Sequence, residues 1–143
     1  MQADTPRYLV PGDEIRLIST ARTAEKSYID LAVSEIEKRG YKPTLGKHLF
    51  SKSNQFAGTD AERLADLNDA IRDENVRAIL CAKGGYGTAR LLHEVNEYAF
   101  HQDPKWICGY SDVTALHSHV YGVFMTQSIH SCMPVVFANY TSE

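Results

Sequence analysis

Gly109-Tyr110-Ser111-Asp112-Val113 stands where a short apolar run gives way to a helical pattern. A serine at a sharp strand-to-helix turn projects its hydroxyl outward, and the next backbone amide points the same way at the helix start. Acyl transfer needs both features, because the nucleophile must be exposed and the developing oxyanion must meet fixed donors. Val113 occupies the second glycine position of the G-x-S-x-G elbow, so the match is incomplete. The same residues also read as a plain helix start, with Ser111 as its cap and Asp112 favoured by the helix dipole.

Lys83-Gly84-Gly85-Tyr86-Gly87-Thr88 forms a second unusual turn, again between a strand pattern and a helix pattern. Its Gly85-x-Gly87-x-x-Arg90 spacing lacks the third glycine of the dinucleotide fingerprint, and no P-loop lysine follows. Two readings stay open: a tight structural turn, or backbone amides exposed for a ligand or an oxyanion. His117 and His119 lie two apart on a helix and face different ways, so they make no metal pair. His130, beside Ser131 at a strand's end, reads as a pocket-lining residue, since sequence neighbours rarely adopt triad geometry. Asp60 and Asp66 read as helix-start and solvated-face carboxylates. No metal site and no cofactor is implied.

The elements that must position these groups follow from periodicity. Glu14–Ser19 reads as a buried strand after the turn Pro11-Gly12-Asp13. Tyr28, Leu31, Ala32 and Ile36 recur at helical spacing, closed by Lys38-Arg39-Gly40. Tyr41–Leu45 is a weaker strand, marked as an edge by Pro43, and His48 to Gly58 is a polar loop. Thr59-Asp60-Ala61-Glu62 is a capping box for a helix with Leu64, Leu67 and Ile71 on one face. Val76–Ala82 is the clearest strand. A helix over Ala89–Tyr98 with Leu91, Leu92 and Val95 inward, a strand at Trp106–Gly109, a helix from Asp112 to about Tyr121 and a strand at Met125–Ile129 complete the pattern.

Strands separated by helices make βαβ units, which predicts an α/β fold with a mostly parallel sheet and helices on both faces. Ligands of such sheets bind outside the carboxyl ends of the strands. The loops expected there are Ser19–Arg22, Lys83–Thr88, Gly109–Asp112 and His130–Met133, and they hold most of the chain's unusual chemistry.

Composition narrows the classes. A chain of 143 residues with 43% hydrophobic and 23% charged residues is one ordinary globular domain, neither disordered nor fibrous. Fifteen Lys and Arg against 18 Asp and Glu give a formal charge of −3, which supplies no electrostatic case for nucleic acid or an anionic membrane. No apolar run is long enough to span a bilayer, and the start has neither a basic n-region nor an apolar h-region. The expectation is an intracellular, cytoplasmic protein. Cys81, Cys108 and Cys132, an odd count without C-x-x-C spacing, read as inert core thiols. Asn139-Tyr140-Thr141 matches a glycosylation acceptor only formally, without meaning inside a cell.

Taken in order, Pro11-Gly12-Asp13, Ala57–Asp60 with Arg63–Leu67, Lys83–Leu92 and Pro104–Leu116 resemble the LD-carboxypeptidase family of serine peptidases. The resemblance runs from about Val10 to Pro134. Its most specific part is Gly-Gly-Tyr-Gly followed about 22 residues later by Gly-Tyr-Ser-Asp-Val-Thr. It implies a flavodoxin-like N-terminal domain over residues 1–143, with Ser111 as nucleophile of a Ser-His-Glu triad. The amide of Asp112 and an amide of Gly84 or Gly85 would form the oxyanion hole, with Lys83, Tyr86, Tyr110 and His130 around the substrate. The implied substrate is a peptidoglycan tetrapeptide that loses its terminal D-alanine during cell-wall recycling.

A branch of the same family, self-immunity peptidases that cleave peptide-nucleotide antibiotics, is resembled equally well. A non-enzymatic module binding a small anion at Lys83–Thr88 is the reading from another class. The family's glutamate and histidine lie in a C-terminal domain that this chain does not supply, so the resemblance implies near-inactivity alone. It also implies an apolar face around Phe124–Phe137 where that domain docks; dimers are common in the family, so a homodimer stays open, and the sequence does not give the oligomeric state. Lys83 stands where the family commonly has arginine, Ser19-Thr20-Ala21 replaces Ala-Pro-Ser, and His130–Pro134 varies on His-Gly-Pro-Met.

Overall fold

Val76–Cys81 is buried at every position, as an apolar run must be when both faces of a parallel strand are covered. It is the central strand, β3, of a sheet completed by β1 (Glu14–Ile18), β2 (Lys42–Leu45), β4 (Trp106–Gly109) and β5 (Ile129–His130). The computed structural model describes residues 2–139, so Tyr140 and Thr141 of the formal glycosylation acceptor lie outside the described residues. Among those residues all strand pairs are parallel, in the order β2-β1-β3-β4-β5. This is the flavodoxin-like doubly wound order, and its direction reverses between β1 and β3. Pro43 sits on the edge strand β2, where its missing N–H costs no ladder bond.

Helices α2 (Asp60–Arg72), α3 (Glu97–Gln102) and α4 (Thr114–Gly122) cover one face, packing Leu67, Ile71, Phe100, Leu116 and Val120 on Ile18, Ile79 and Ile107. Helices α1 (Lys26–Lys38) and α5 (Pro134–Phe137) cover the other, with Ile29, Ala32 and Ile36 against Leu17 and Leu80. Full burial of each such side chain contributes roughly 1.5–3 kcal/mol, more than a cap or an exposed ion pair. The capping box on α2 is formed as expected. Thr59 Oγ1 accepts from the Glu62 amide at 3.2 Å, and the Glu62 carboxylate accepts from the Thr59 amide at 2.8 Å.

Two expected elements differ. The segment 89–98 is not one helix but two 3₁₀ turns, Thr88–Arg90 and Leu92–Glu94, followed by α3. Asn68 on α2 takes over its backbone groups, donating to the Glu94 carbonyl at 3.0 Å and accepting from the Asn96 amide at 2.8 Å. The Asn96 side chain then caps α3 by accepting from the Ala99 amide at 2.9 Å, so local side-chain bonds outcompete helix continuation. Leu91 and Val95 do point inward, whereas Leu92 is only partly buried. The strand expected at Met125–Ile129 is reduced to Ile129–His130. Residues 125–127 bond instead to the N-terminal arm: the Asp4 amide donates to the Met125 carbonyl, and the Gln127 amide to Asp4.

Asp66 is not a solvated carboxylate. It is buried, accepts from the His48 amide at 2.9 Å, and its pKa is pushed up by burial. It lies on the same inward stripe of α2 as Arg63, Leu67 and Ala70. Cys81 and Cys108 are inert thiols, both pushed up to about 12 by burial. Cys132 is exposed and is therefore no core residue. On the α1 face an apolar groove runs from Ile15 past Leu80 and Cys108 to Ile129 and Phe137. Phe124 belongs to the opposite core and is 1% exposed. No helix among the described residues is long and apolar enough to cross a membrane.

The amino-terminal rim of the sheet is tied by ions. Lys105 is fully buried, and its ammonium donates to the Asp73 carbonyl at 2.9 Å and to the Asp103 carboxylate. Arg77 grips both oxygens of Asp103. Hydrogen bonds from Arg77 above all hold the Asp103 carboxyl down at about 2. A lowered carboxyl pKa stabilises the fold above the unfolded value and ceases to do so as pH falls through the folded one. Asp103→Asn is therefore expected to cost about 1–2 kcal/mol at pH 7, discounted for partial exposure. The gap to the native chain should shrink between pH 5 and pH 2 in urea titrations; a gap constant over that range would contradict the assignment.

Candidate active site

Ser111 has a φ of +59° and is exposed. A non-glycine residue in the left-handed region stores of order 1–2 kcal/mol of strain and persists only where its surroundings hold it. The surroundings here are specific. The Gly109 carbonyl just upstream accepts from the Ser131 amide at 3.0 Å and from His117 Nε2 at 2.9 Å. Since a carbonyl only accepts, His117 Nε2 donates to Gly109, while Nδ1 pairs with the Ser128 hydroxyl at 2.7 Å. A Cβ added at Gly109 would fall 3.0 Å from Val113 Cγ1, tighter than side chains ordinarily pack, so a larger residue here would push on Val113. Downstream, Ser111–Val113 forms a 3₁₀ turn that runs into α4. The helix expected from Asp112 thus begins with that turn and continues to Gly122.

The glycine turn lies against this serine. A Cβ built on Gly84 would fall 3.5 Å from both Ser111 Cβ and the Asp112 nitrogen. Asp112 Oδ2 accepts from the Thr88 amide at 3.0 Å, tying the far end of the turn to the serine loop. Thr88 Oγ1 pairs with Thr20 Oγ1 at 2.8 Å in full burial, and the Arg22 amide donates to the Gly84 carbonyl at 3.2 Å. The loops after β1, β3, β4 and β5 therefore meet at one rim, where parallel sheets of this order hold ligands. Of the expected residues, Ser111, Asp112 and Gly84 are brought together, whereas Gly85, next along the turn, faces the Arg22 side chain. Lys83 is half-buried at the root of the turn. Tyr86 is exposed and packs on Phe56 with ring centroids 5.9 Å apart. Tyr110 is half-buried against Cys81, Val113 and Met133, and His130 is exposed at the end of β5 with its ring 6.2 Å from that of Tyr110. His117 and His130 line one open cleft with Thr114 and Ser128.

Sequence reasoning missed the group that fixes two of these loops. Arg63 is fully buried and donates to the Thr20 carbonyl, to the Gly87 carbonyl at 3.0 Å and to Asp60. Its guanidinium stacks 4.8 Å above the Phe56 ring. Burial lowers its pKa, opposed mainly by Asp60. Asp60 in turn grips Arg90, whose hydrogen bonds are the chief reason its carboxyl lies below the usual range. The signal was available: Arg63 precedes Leu67 and Ile71 at helical spacing, so a cation occupies the apolar face.

The arrangement offers an exposed, strained hydroxyl followed by the Asp112 amide and packed against the Gly84 backbone, and nucleophilic attack on a carbonyl requires such a hydroxyl together with main-chain donors. Among the described residues His117 is committed to Gly109 and Ser128, and no histidine bonds to the Ser111 hydroxyl. No group of three or more metal-ligating side chains is present among them either.

Residues 15–131 match the family described as LD-carboxypeptidase N-terminal domain. The chain is 38% identical over 116 residues to a probable murein peptide carboxypeptidase of Bacillus subtilis, covering 81% of this chain and 36% of that protein. It is 29% identical over 105 residues to a murein tetrapeptide carboxypeptidase of Pseudomonas aeruginosa, covering 73% and 34%. Among solved structures, an MccF-like protein from Bacillus anthracis superposes with a TM-score of 0.79 at 35% identity, covering 83% of this chain and 37% of that one. The chain thus spans little more than a third of the length of these relatives.

Strain at Ser111 can be measured directly. Ser111→Ala keeps the left-handed conformation for a residue with a Cβ, whereas Ser111→Gly removes that penalty at some cost in unfolded-state entropy. We expect the glycine variant to be more stable than the alanine variant by about 1 kcal/mol in chemical denaturation. Equal stabilities would mean that the turn relaxes and the strain is not held.

Proposed function

Since this chain belongs to the LD-carboxypeptidase family, we propose that it is the nucleophile-bearing part of a cytoplasmic serine peptidase that removes the terminal D-alanine from peptidoglycan tetrapeptides. The observation that carries this reading is Ser111, exposed at φ +59° with Gly84 and the Asp112 amide beside it. In the proposed reaction the Ser111 hydroxyl attacks the carbonyl joining the L-centre of the diamino acid, or lysine, to D-alanine. A histidine oriented by a glutamate, both from the region that longer relatives carry, takes the hydroxyl proton. The negative charge that develops on the carbonyl oxygen is met by the Asp112 amide and an amide of Gly84 or Gly85. The same histidine hands the proton to the leaving amine, D-alanine departs, and water hydrolyses the acyl-enzyme.

The apolar groove between Ile15 and Phe137 is the surface on which that further region would dock, as a two-domain protein buries its domain contact. Removal of a triad's base costs orders of magnitude even when the oxyanion donors remain. The 143-residue chain alone should therefore release D-alanine from a tetrapeptide near the background rate. Likeness to MccF, the microcin C7 self immunity protein solved with glutamyl sulfamoyl guanosine, favours a second reading, an immunity-type peptidase acting on an aminoacyl-nucleotide. Turnover of a tetrapeptide against an aminoacyl-adenylate analogue separates the two.

The decisive test of the nucleophile is a fluorophosphonate probe applied to the full-length gene product. Peptide mapping should place the label on Ser111, and Ser111→Ala should abolish both the label and turnover, by about a thousandfold or more. A label on another residue, or D-alanine release by the 143-residue chain that disappears in Ser111→Ala, would overturn the corresponding part of the proposal.

A further inference from the structure

Among the described residues every arginine but one is ion-paired with an aspartate or glutamate. The exception is Arg22, in the loop after β1. Its guanidinium reaches only the neutral amide oxygen of Gln55, at 3.1 Å, and is exposed. Yet the residue is not loose. Its amide donates to the Gly84 carbonyl at 3.2 Å, and its own carbonyl accepts from Ser19 Oγ at 2.6 Å. Its stem crosses Gly85 so closely that an added Cβ there would fall 2.5 Å from Arg22 Cδ. Gly85, at φ +112°, is thus the track on which the arginine lies.

The place matters as much as the missing counter-charge. Arg22 and Lys83 follow β1 and β3, the pair of strands between which the sheet order reverses, and this crevice is where doubly wound sheets take ligands. Lys83 likewise makes no ion pair among the described residues, so two cations flank the turn whose Gly84 abuts Ser111. A guanidinium has five donors in a planar fork that matches a carboxylate. At Arg22 one of them is engaged by Gln55. A held fork with no resident carboxylate is complementary to one that arrives with the ligand.

We infer that Arg22 seats the terminal α-carboxylate of the peptide, so that the scissile carbonyl is presented to Ser111 from the chain's end. This rests on the peptidase reading above and supplies its exopeptidase character: a peptide without a free end would lose the contact. Arg22 would be a binding and specificity residue, touching the carboxylate and leaving the chemistry to Ser111.

The test titrates the full-length protein carrying Ser111→Ala, which binds without turnover, by calorimetry with a tetrapeptide ending in L-lysyl-D-alanine, once as the free acid and once as the C-terminal carboxamide. Lysine removes the side-chain carboxylate of the diamino acid, so the pair differs only at the terminal group. The free acid is expected to bind roughly tenfold more tightly than the carboxamide, in line with a charge-assisted bond. Arg22→Ala should erase that preference and Arg22→Lys should retain part of it. Preference for the free acid surviving in Arg22→Ala, or absent with Arg22 in place, overturns the inference while leaving the peptidase reading standing. Failure of the protein with Arg22 in place to bind either peptide counts against both. Should Arg22→Ala fold poorly by thermal unfolding, Arg22→Gln replaces it, and the comparison of the two peptides with Arg22 in place still decides.

Discussion

The hydrogen bond from the Thr88 amide to the Asp112 carboxylate, 3.0 Å long, joins two loops that are 24 residues apart in the chain. Without it, the glycine turn and the serine turn would be independent excursions from neighbouring strands. With it, Gly84 comes to rest against Ser111 and the Asp112 nitrogen, and a strained serine is held in place from outside its own turn. The bond also makes Asp112 serve twice. Its side chain fixes the neighbouring loop, while its amide stands at the start of a helical turn, where a backbone donor has no intrahelical partner.

A second constraint lies beneath that bond. Arg63, fully buried, reaches the Thr20 and Gly87 carbonyls at once and so locks the loop after β1 to the loop after β3. Burying a guanidinium is costly unless its donors are satisfied. Three bonds and the face of Phe56 offset the cost here, although Nε is left without a partner. The outcome is a rim in which the loops after β1, β3, β4 and β5 bond to one another rather than only to solvent. The rigidity that the proposed oxyanion site would require is thus supplied by helix α2, an element whose exposed ends look unrelated to the site.

Much of this was legible in the sequence for reasons that are local. The capping box at Thr59, the buried strand β3 and the edge strand marked by Pro43 each follow from a short-range rule, and each stands where the pattern placed it. The convergence of four loops followed from topology alone, because parallel strands put their carboxyl ends on one side. What could not be read was anything settled by a distant partner. The helix expected over 89–98 was broken by Asn68, more than twenty residues upstream. The strand expected at 125–129 lost most of its length to the N-terminal arm. Asp66 looked solvated because its helix turn is polar, yet its stripe faces the core. Arg63 and Arg22 are ordinary surface residues by composition; burial identifies the first as a clasp, and the ion pairs that all its counterparts make identify the second as an unpaired cation.

The central claim is geometric: a tetrahedral oxyanion formed on Ser111 meets main-chain donors from two loops. A crystal structure of the protein after reaction with a phosphonate ester tests it most directly, since the phosphonyl oxygen stands in for the oxyanion. The oxygen should lie within about 2.7–3.1 Å of the Asp112 nitrogen and of a nitrogen in Gly84–Gly85. An adduct whose oxygen points into solvent, with the glycine turn withdrawn from Ser111, would contradict the account.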